Sequence, residues 1–204
     1  MKFSKLQKIY DEEYSHLPDT PDDQLNYILT TKKVNMDKVR AEIERIENIP
    51  WKKIHMQFPL IPYPCPRPRS TSNGRFYVEG AKEHWDYMKR TITDQQIIST
   101  MTRFTVDLNI PIPSTMNGTE AYLAQLRYIL PIASDWDNYG KTYSDAIQKI
   151  LIINDNLICS GVVNKYYSIK PYVNIILEYQ DGYDSRYNER KIKNSKSYKN
   201  LIAE

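Results

Sequence analysis

Residues 135 to 155 constrain the fold of this chain more than any other stretch. Asp135-Trp136-Asp137-Asn138 leads to Lys141 and Asp145, then to the apolar run Ile150-Leu151-Ile152-Ile153, and then to Asp155. Tyr139, Tyr143, Ala146, Ile147 and Ile150 recur at helical spacing, so the segment is an amphipathic helix whose apolar face needs a core to pack on. Asn138 is placed as its N-cap. Asp137, Lys141 and Asp145 fall at i, i+4 and i+8 on the opposite face. Asp135 and Asp137, one residue apart, project to the same side of an extended entry segment. Asp155 stands where the chain can return to the helix mouth.

Hard oxygen ligands of this kind suit Mg2+, which takes one or two carboxylates, keeps several waters and completes its shell with substrate phosphate. The plainer reading of Asp137, Lys141 and Asp145 is a solvated ladder of ion pairs, worth roughly 0.2–0.5 kcal/mol each. The Asp-x-Asp-Asn start and the later Asp155 favour the metal site.

The same residues resemble the RusA family of Holliday-junction resolvases. The family pattern is Asp-x-Asp-Asn-x-x-Lys-x-x-x-Asp-Ala-Leu, a short apolar segment ending in Asp-Asp, and a lysine in the next strand. Asp135, Asp137, Asn138, Lys141, Asp145, Ala146, Asp155 and Lys165 follow it in order. Pro64-Cys65-Pro66-Arg67-Pro68-Arg69 and Arg75-Phe76-Tyr77-Val78 resemble the N-terminal part of the family, and the likeness covers roughly residues 54 to 180. It implies that Asp135, Asp137 and Asp155 ligate Mg2+, with Mn2+ able to substitute. It also implies that Lys141 is catalytic, that Asp145 supports it, and that Lys165 lies near the DNA backbone. Three departures stand out. Asn154 replaces the first Asp of the Asp-Asp pair, Ser134 replaces a common proline, and Gln148-Lys149 replaces a small Asn-Gly turn.

Composition adds bounds. A chain of 204 residues can build one full core plus an accessory segment. No apolar stretch is long enough to cross a bilayer, and the opening Met1-Lys2-Phe3-Ser4-Lys5-Leu6 is not a signal peptide, so no membrane partner is expected. Cys65 and Cys159 show no zinc spacing and suggest a reducing, cytoplasmic setting; the family resemblance implies a bacterial or phage-infected cell. Net charge is a mild +3, yet Arg186, Arg190, Lys191, Lys193, Lys196 and Lys199 crowd the end. That basic tail, residues 183–204, either tracks phosphates or forms a solvated terminal helix.

Three regions follow. Residues 1–50 form a helical extension, with Thr20-Pro21-Asp22-Asp23 starting one helix and Asn35 capping another that carries Val39, Ile43 and Ile46 on one stripe. Residues 51–182 form the nuclease-like domain. Ile54, Met56, Phe58 and Leu60 alternate as a strand, and five prolines between Pro59 and Pro68 then stiffen a loop carrying Arg67 and Arg69. Such a loop is commonly a connector or a ligand for a partner domain; beside the acidic block and the family resemblance, Arg67, Arg69 and Arg75 become candidate contacts to DNA phosphates. A helix spans about Glu79 to Ile98, Phe104, Val106, Leu108 and Ile110 form a half-buried strand, and an inserted helix covers about Gly118 to Leu130. Strands run near Leu157 to Tyr167 and Tyr172 to Tyr179. The fold class is therefore α/β (α+β), a mixed β-sheet with helices packed on it.

The functional expectation is an Mg2+-dependent endodeoxyribonuclease acting as a homodimer on four-way or otherwise branched DNA. Two rivals stand beside it: a nuclease with broader taste for branched DNA, and a junction-binding scaffold with an impaired active site.

Overall fold

The structure is a computed structural model and describes residues 2–65, 69–70, 76–77, 81–92, 97–132 and 134–183. The chain divides into two compact units, the first ending at Asn48 and the second starting at Ile49.

The first unit consists of helices α1 (Lys2–Glu13), α2 (Pro21–Thr31) and α3 (Met36–Glu47). Thr20 caps α2 by accepting the Asp23 N–H, with Pro21 at the first helical position and Asp22 and Asp23 in the first turn. Asn35 caps α3 in the same way, through the Lys38 N–H. Both starts are those the sequence announces. The apolar stripe of α3 is not buried: Val39 and Ile43 are exposed.

The second unit is built on a four-stranded mixed sheet in the order β1-β6-β4-β5. The strands are β1 (Lys52–Phe58), β4 (Thr102–Pro111), β5 (Ile158–Ser168) and β6 (Tyr172–Tyr179). Short strands β2 (Arg69–Ser70) and β3 (Phe76–Tyr77) pair separately. β4 is parallel to β5, while β6 is antiparallel to β1 and β4. Period-two alternation sets the register. Ile54, Leu177 and Phe104 align across three strands, as do Met56, Ile175 and Val106, then Phe58, Val173 and Leu108. These rows, together with Met88, Tyr139, Tyr143, Ala146 and Ile147, form the core.

Helices α4 (Ala81–Thr91) and α6 (Trp136–Ile147) supply the packing against that face, and α5 (Gly118–Gln125) packs near β5. Two predicted helices are shorter than their sequence patterns suggest. α4 ends at Thr91, and Ile98 instead pairs with the apolar run, donating to the Leu151 carbonyl and accepting from the Ile153 N–H. Leu151, Ile152 and Ile153 are buried by this pairing, which an apolar run too short for a helix satisfies better than one more helical turn. α5 starts with a capping box of Asn117 and Glu120 and stops at Gln125, because Arg127 turns to a left-handed φ of 69°. Among the described residues, no helix is long and apolar enough to cross a membrane.

Candidate active site

The site is organised by α6. Its buried side carries Tyr139, Thr142, Tyr143, Ala146 and Ile147, as the periodicity requires. Its start is one turn earlier than predicted: the helix begins at Trp136, with Asp135 at the N-cap, so Asn138 lies within the first turn. Asp135 has extended backbone, while Asp137 already belongs to the helix, so the expected two-residue extended alternation does not apply. Both carboxylates nevertheless occupy the N-terminal mouth and interact favourably with the positive end of the helix. The Asp135 side chain makes no capping hydrogen bond.

One turn further, Lys141 Nζ donates to Asp145 Oδ1 at 2.7 Å. The lysine side chain is 59% exposed and its partner 21%. The bond to Asp145 holds the ammonium above its ordinary range; partial burial opposes this, and the fields of Asp145, Asp155 and Cys65 add to it. Asp155 is thus brought within electrostatic reach of Lys141. It opens a single 3-10 turn, Asp155–Leu157, whose N-cap Asn154 accepts the Asn156 N–H at 3.0 Å. The asparagine at the position of the family's usual first aspartate therefore caps the turn that carries the second, a task either side chain performs. Lys149, in place of the Asn-Gly turn, takes a left-handed φ of 65°. Glycine would adopt this conformation at lower cost.

The proline-rich segment closes over this helix. Tyr63 N–H donates to the buried Tyr143 hydroxyl at 3.1 Å, and Cys65 N–H donates to the Asn138 carbonyl at 3.1 Å. Asn138 thus supports the site through its backbone carbonyl, which also accepts from Thr142 Oγ1. Burial pushes the Cys65 thiol up; the Asp145 field adds to this, and Lys141 partly offsets it. No local signal announces the bond from Cys65 to Asn138, because the two residues lie far apart in sequence. Arg67 and Arg75 lie outside the described residues, and Arg69 is described only through its backbone in β2. The basic cluster from Arg186 to Lys199 also lies outside them.

Lys165 sits on β5 and donates from Nζ to the Ser134 carbonyl at 2.9 Å. It ties down the residue just before Asp135. Gly140 of α6 faces the Val163 side chain, so α6 lies along β5 with its mouth near Lys165.

The donor chemistry of Asp135, Asp137 and Asp155, all oxygen, fits Mg2+. Among the described residues, however, no three His, Cys, Asp or Glu side chains are grouped closely enough to hold a metal ion together. The acids are arranged along α6 and beside it, with Asp155 nearest in effect to Lys141.

The family model described as Endodeoxyribonuclease RusA matches residues 59–178, more than half of the chain. No curated protein matches it.

Proposed function

Since this chain belongs to the RusA family of endodeoxyribonucleases, whose members act on branched DNA, we propose that it resolves four-way junctions by Mg2+-dependent hydrolysis of two strands of like polarity. One observation carries this reading. Lys141, bonded to Asp145 and in the field of Asp155, points outward from the helix whose mouth holds Asp135 and Asp137.

Asp135, Asp137 and Asp155 are the residues that would hold Mg2+, one or two at a time, with waters and the substrate phosphate filling the shell. Bound there, the ion would supply an activated water and positive charge at the scissile phosphate. Lys141 places its ammonium against the phosphate oxygens as negative charge develops on them. Asp145 keeps that ammonium positioned and protonated, so Lys141 acts through charge and not as a base near neutral pH. Arg67, Arg69, Arg75 and Lys165 contact backbone phosphates and offset the repulsion between the acids and the polyanion. A homodimer with a two-fold axis presents one such site to each of the two strands. The setting is the cytoplasm of a bacterial or phage-infected cell.

The test is incubation with an immobile four-way junction, with and without Mg2+. Lys141→Ala is expected to lower the nicking rate about 10²- to 10³-fold, as loss of one preorganised charge donor does. Asp137→Asn should abolish nicking and preserve or tighten junction binding. An active Asp137→Asn protein would remove Asp137 from the ligand set. Asn154, in place of the family's usual first aspartate, and the long N-terminal extension favour one second reading, a junction-binding protein with an impaired site. In that case binding ignores chelator and no product forms with Mg2+ or Mn2+.

A further inference from the structure

Between α5 and α6, residues 127 to 132 and Ser134 lie beside β5, an edge strand of the sheet. At one end Arg127, in the left-handed region, lays its guanidinium over the Tyr166 ring at 4.0 Å. At the other, Ser134 has a φ of 61° and its carbonyl accepts from Lys165 Nζ at 2.9 Å. Lys165 and Tyr166 are consecutive on a strand, so they point to opposite faces. The segment is therefore clasped on both faces of the edge strand. Non-glycine residues hold a positive φ only where their surroundings enforce it.

Between the clasps Pro131 is buried, while Tyr128 and Ile132 turn outward, 79% and 95% exposed. Trp136, set between Asp135 and Asp137 at the start of α6, is 62% exposed. Single exposed apolar side chains are ordinary. Here Tyr128 and Ile132 lie on the tethered segment, Trp136 follows its second clasp by two residues between the acids of the candidate site, and residues 121 to 134 contain no acidic side chain. Rings flanked by Arg127 and Lys165 suit a nucleobase with phosphates on either side, because every base has a face to stack and the cations track its backbone.

We propose that Trp136 and Tyr128 form a stacking ledge for unpaired bases at the branch point, next to the phosphate that is cut. The inference rests on the junction-cleaving reading above and adds the residues that select branched over fully paired DNA.

The experiment measures binding in chelator of a four-way junction and a linear duplex, with 2-aminopurine at the branch, and the oligomeric state by sedimentation. The expected result is that Trp136→Ala weakens junction binding by about ten-fold or more, as loss of one stacked base does. Duplex binding stays unchanged, Trp136→Phe retains most of the affinity, and the quench of 2-aminopurine seen with the parent is lost only in the alanine variant. Tyr128→Ala gives a smaller loss of the same kind. Unchanged junction affinity and quenching in both alanine variants overturn the ledge while leaving the junction reading intact. A smaller oligomer in either variant makes the surface a subunit contact and also overturns it. If the parent chain binds no branched DNA, the junction reading falls and the ledge with it.

Discussion

Replacing Tyr143 by phenylalanine isolates the hydrogen bond that joins the proline-rich segment to α6. The Tyr143 side chain is fully buried, and its hydroxyl accepts the Tyr63 N–H at 3.1 Å. Phenylalanine keeps the ring and its packing, so almost no cavity opens. What disappears is the acceptor for an amide on a half-buried residue. An orphaned buried donor costs roughly 1–3 kcal/mol, and partial access of water to Tyr63 puts the cost near 1 kcal/mol. In a unit of this length that lowers Tm by about 2–4 °C. The local effect is larger than the global one, because exchange of the Tyr63 amide then proceeds through opening of the segment alone. Burial also pushes the Tyr143 hydroxyl well above its ordinary 10.0. The unfolded chain therefore ionises first, and the stability it contributes, complete below pH 10, is lost as pH rises beyond it. The phenylalanine variant lacks that part of the alkaline limb. Denaturant titrations from pH 7 to about 11, with amide exchange at Tyr63, check both effects. A variant as stable as its parent, with the Tyr63 amide equally protected, would refute the reasoning.

Two further outcomes are expected. His84 lies between the Tyr63 and Tyr143 rings, its Nδ1 buried without a partner, and burial pushes its imidazole below the ordinary 6.5 against the opposing field of Glu83. Its contribution is present above pH 6.5 and lost as pH falls through the lowered value. His84→Phe should flatten the stability profile just below pH 6.5, read from denaturant midpoints, and an unaltered slope there would show that another group sets it. Asn154→Ala should cost about 1 kcal/mol by removing the cap of the turn that carries Asp155, whereas Asn154→Asp should be near neutral. Equal losses in the two variants would exclude capping as the role of Asn154.

How much was legible in the sequence differs from element to element. The alternation of Ile54, Met56 and Phe58, and of Phe104, Val106 and Leu108, announced strands because each had one face to bury. Thr20-Pro21 and Asn35 announced helix starts because capping is local, set by a side chain three residues from the amide it accepts. The start of α6 was misplaced because Asp135 and Asn138 are both residue types that cap helices, and the helix begins after the earlier of them. Ile98 was assigned to a helix because its partner, the Leu151–Ile153 run, is more than fifty residues away in sequence. The Lys141–Asp145 pair could be read at i, i+4 spacing, whereas the neighbourhood of Cys65 and Asp155 around it could not.

By itself, then, the order of residues determined which faces are apolar, where the acids and Lys141 sit along α6, and the family to which they point. Only tertiary structure decided that Lys165 holds the Ser134 carbonyl, that Tyr63 and Cys65 are bonded to α6, and that Arg127 lies over Tyr166 of the edge strand. The division has a physical cause. Periodicity and capping depend on neighbours within a turn or two, but these long-range bonds depend on how strands from distant parts of the chain align, and no local pattern encodes that alignment.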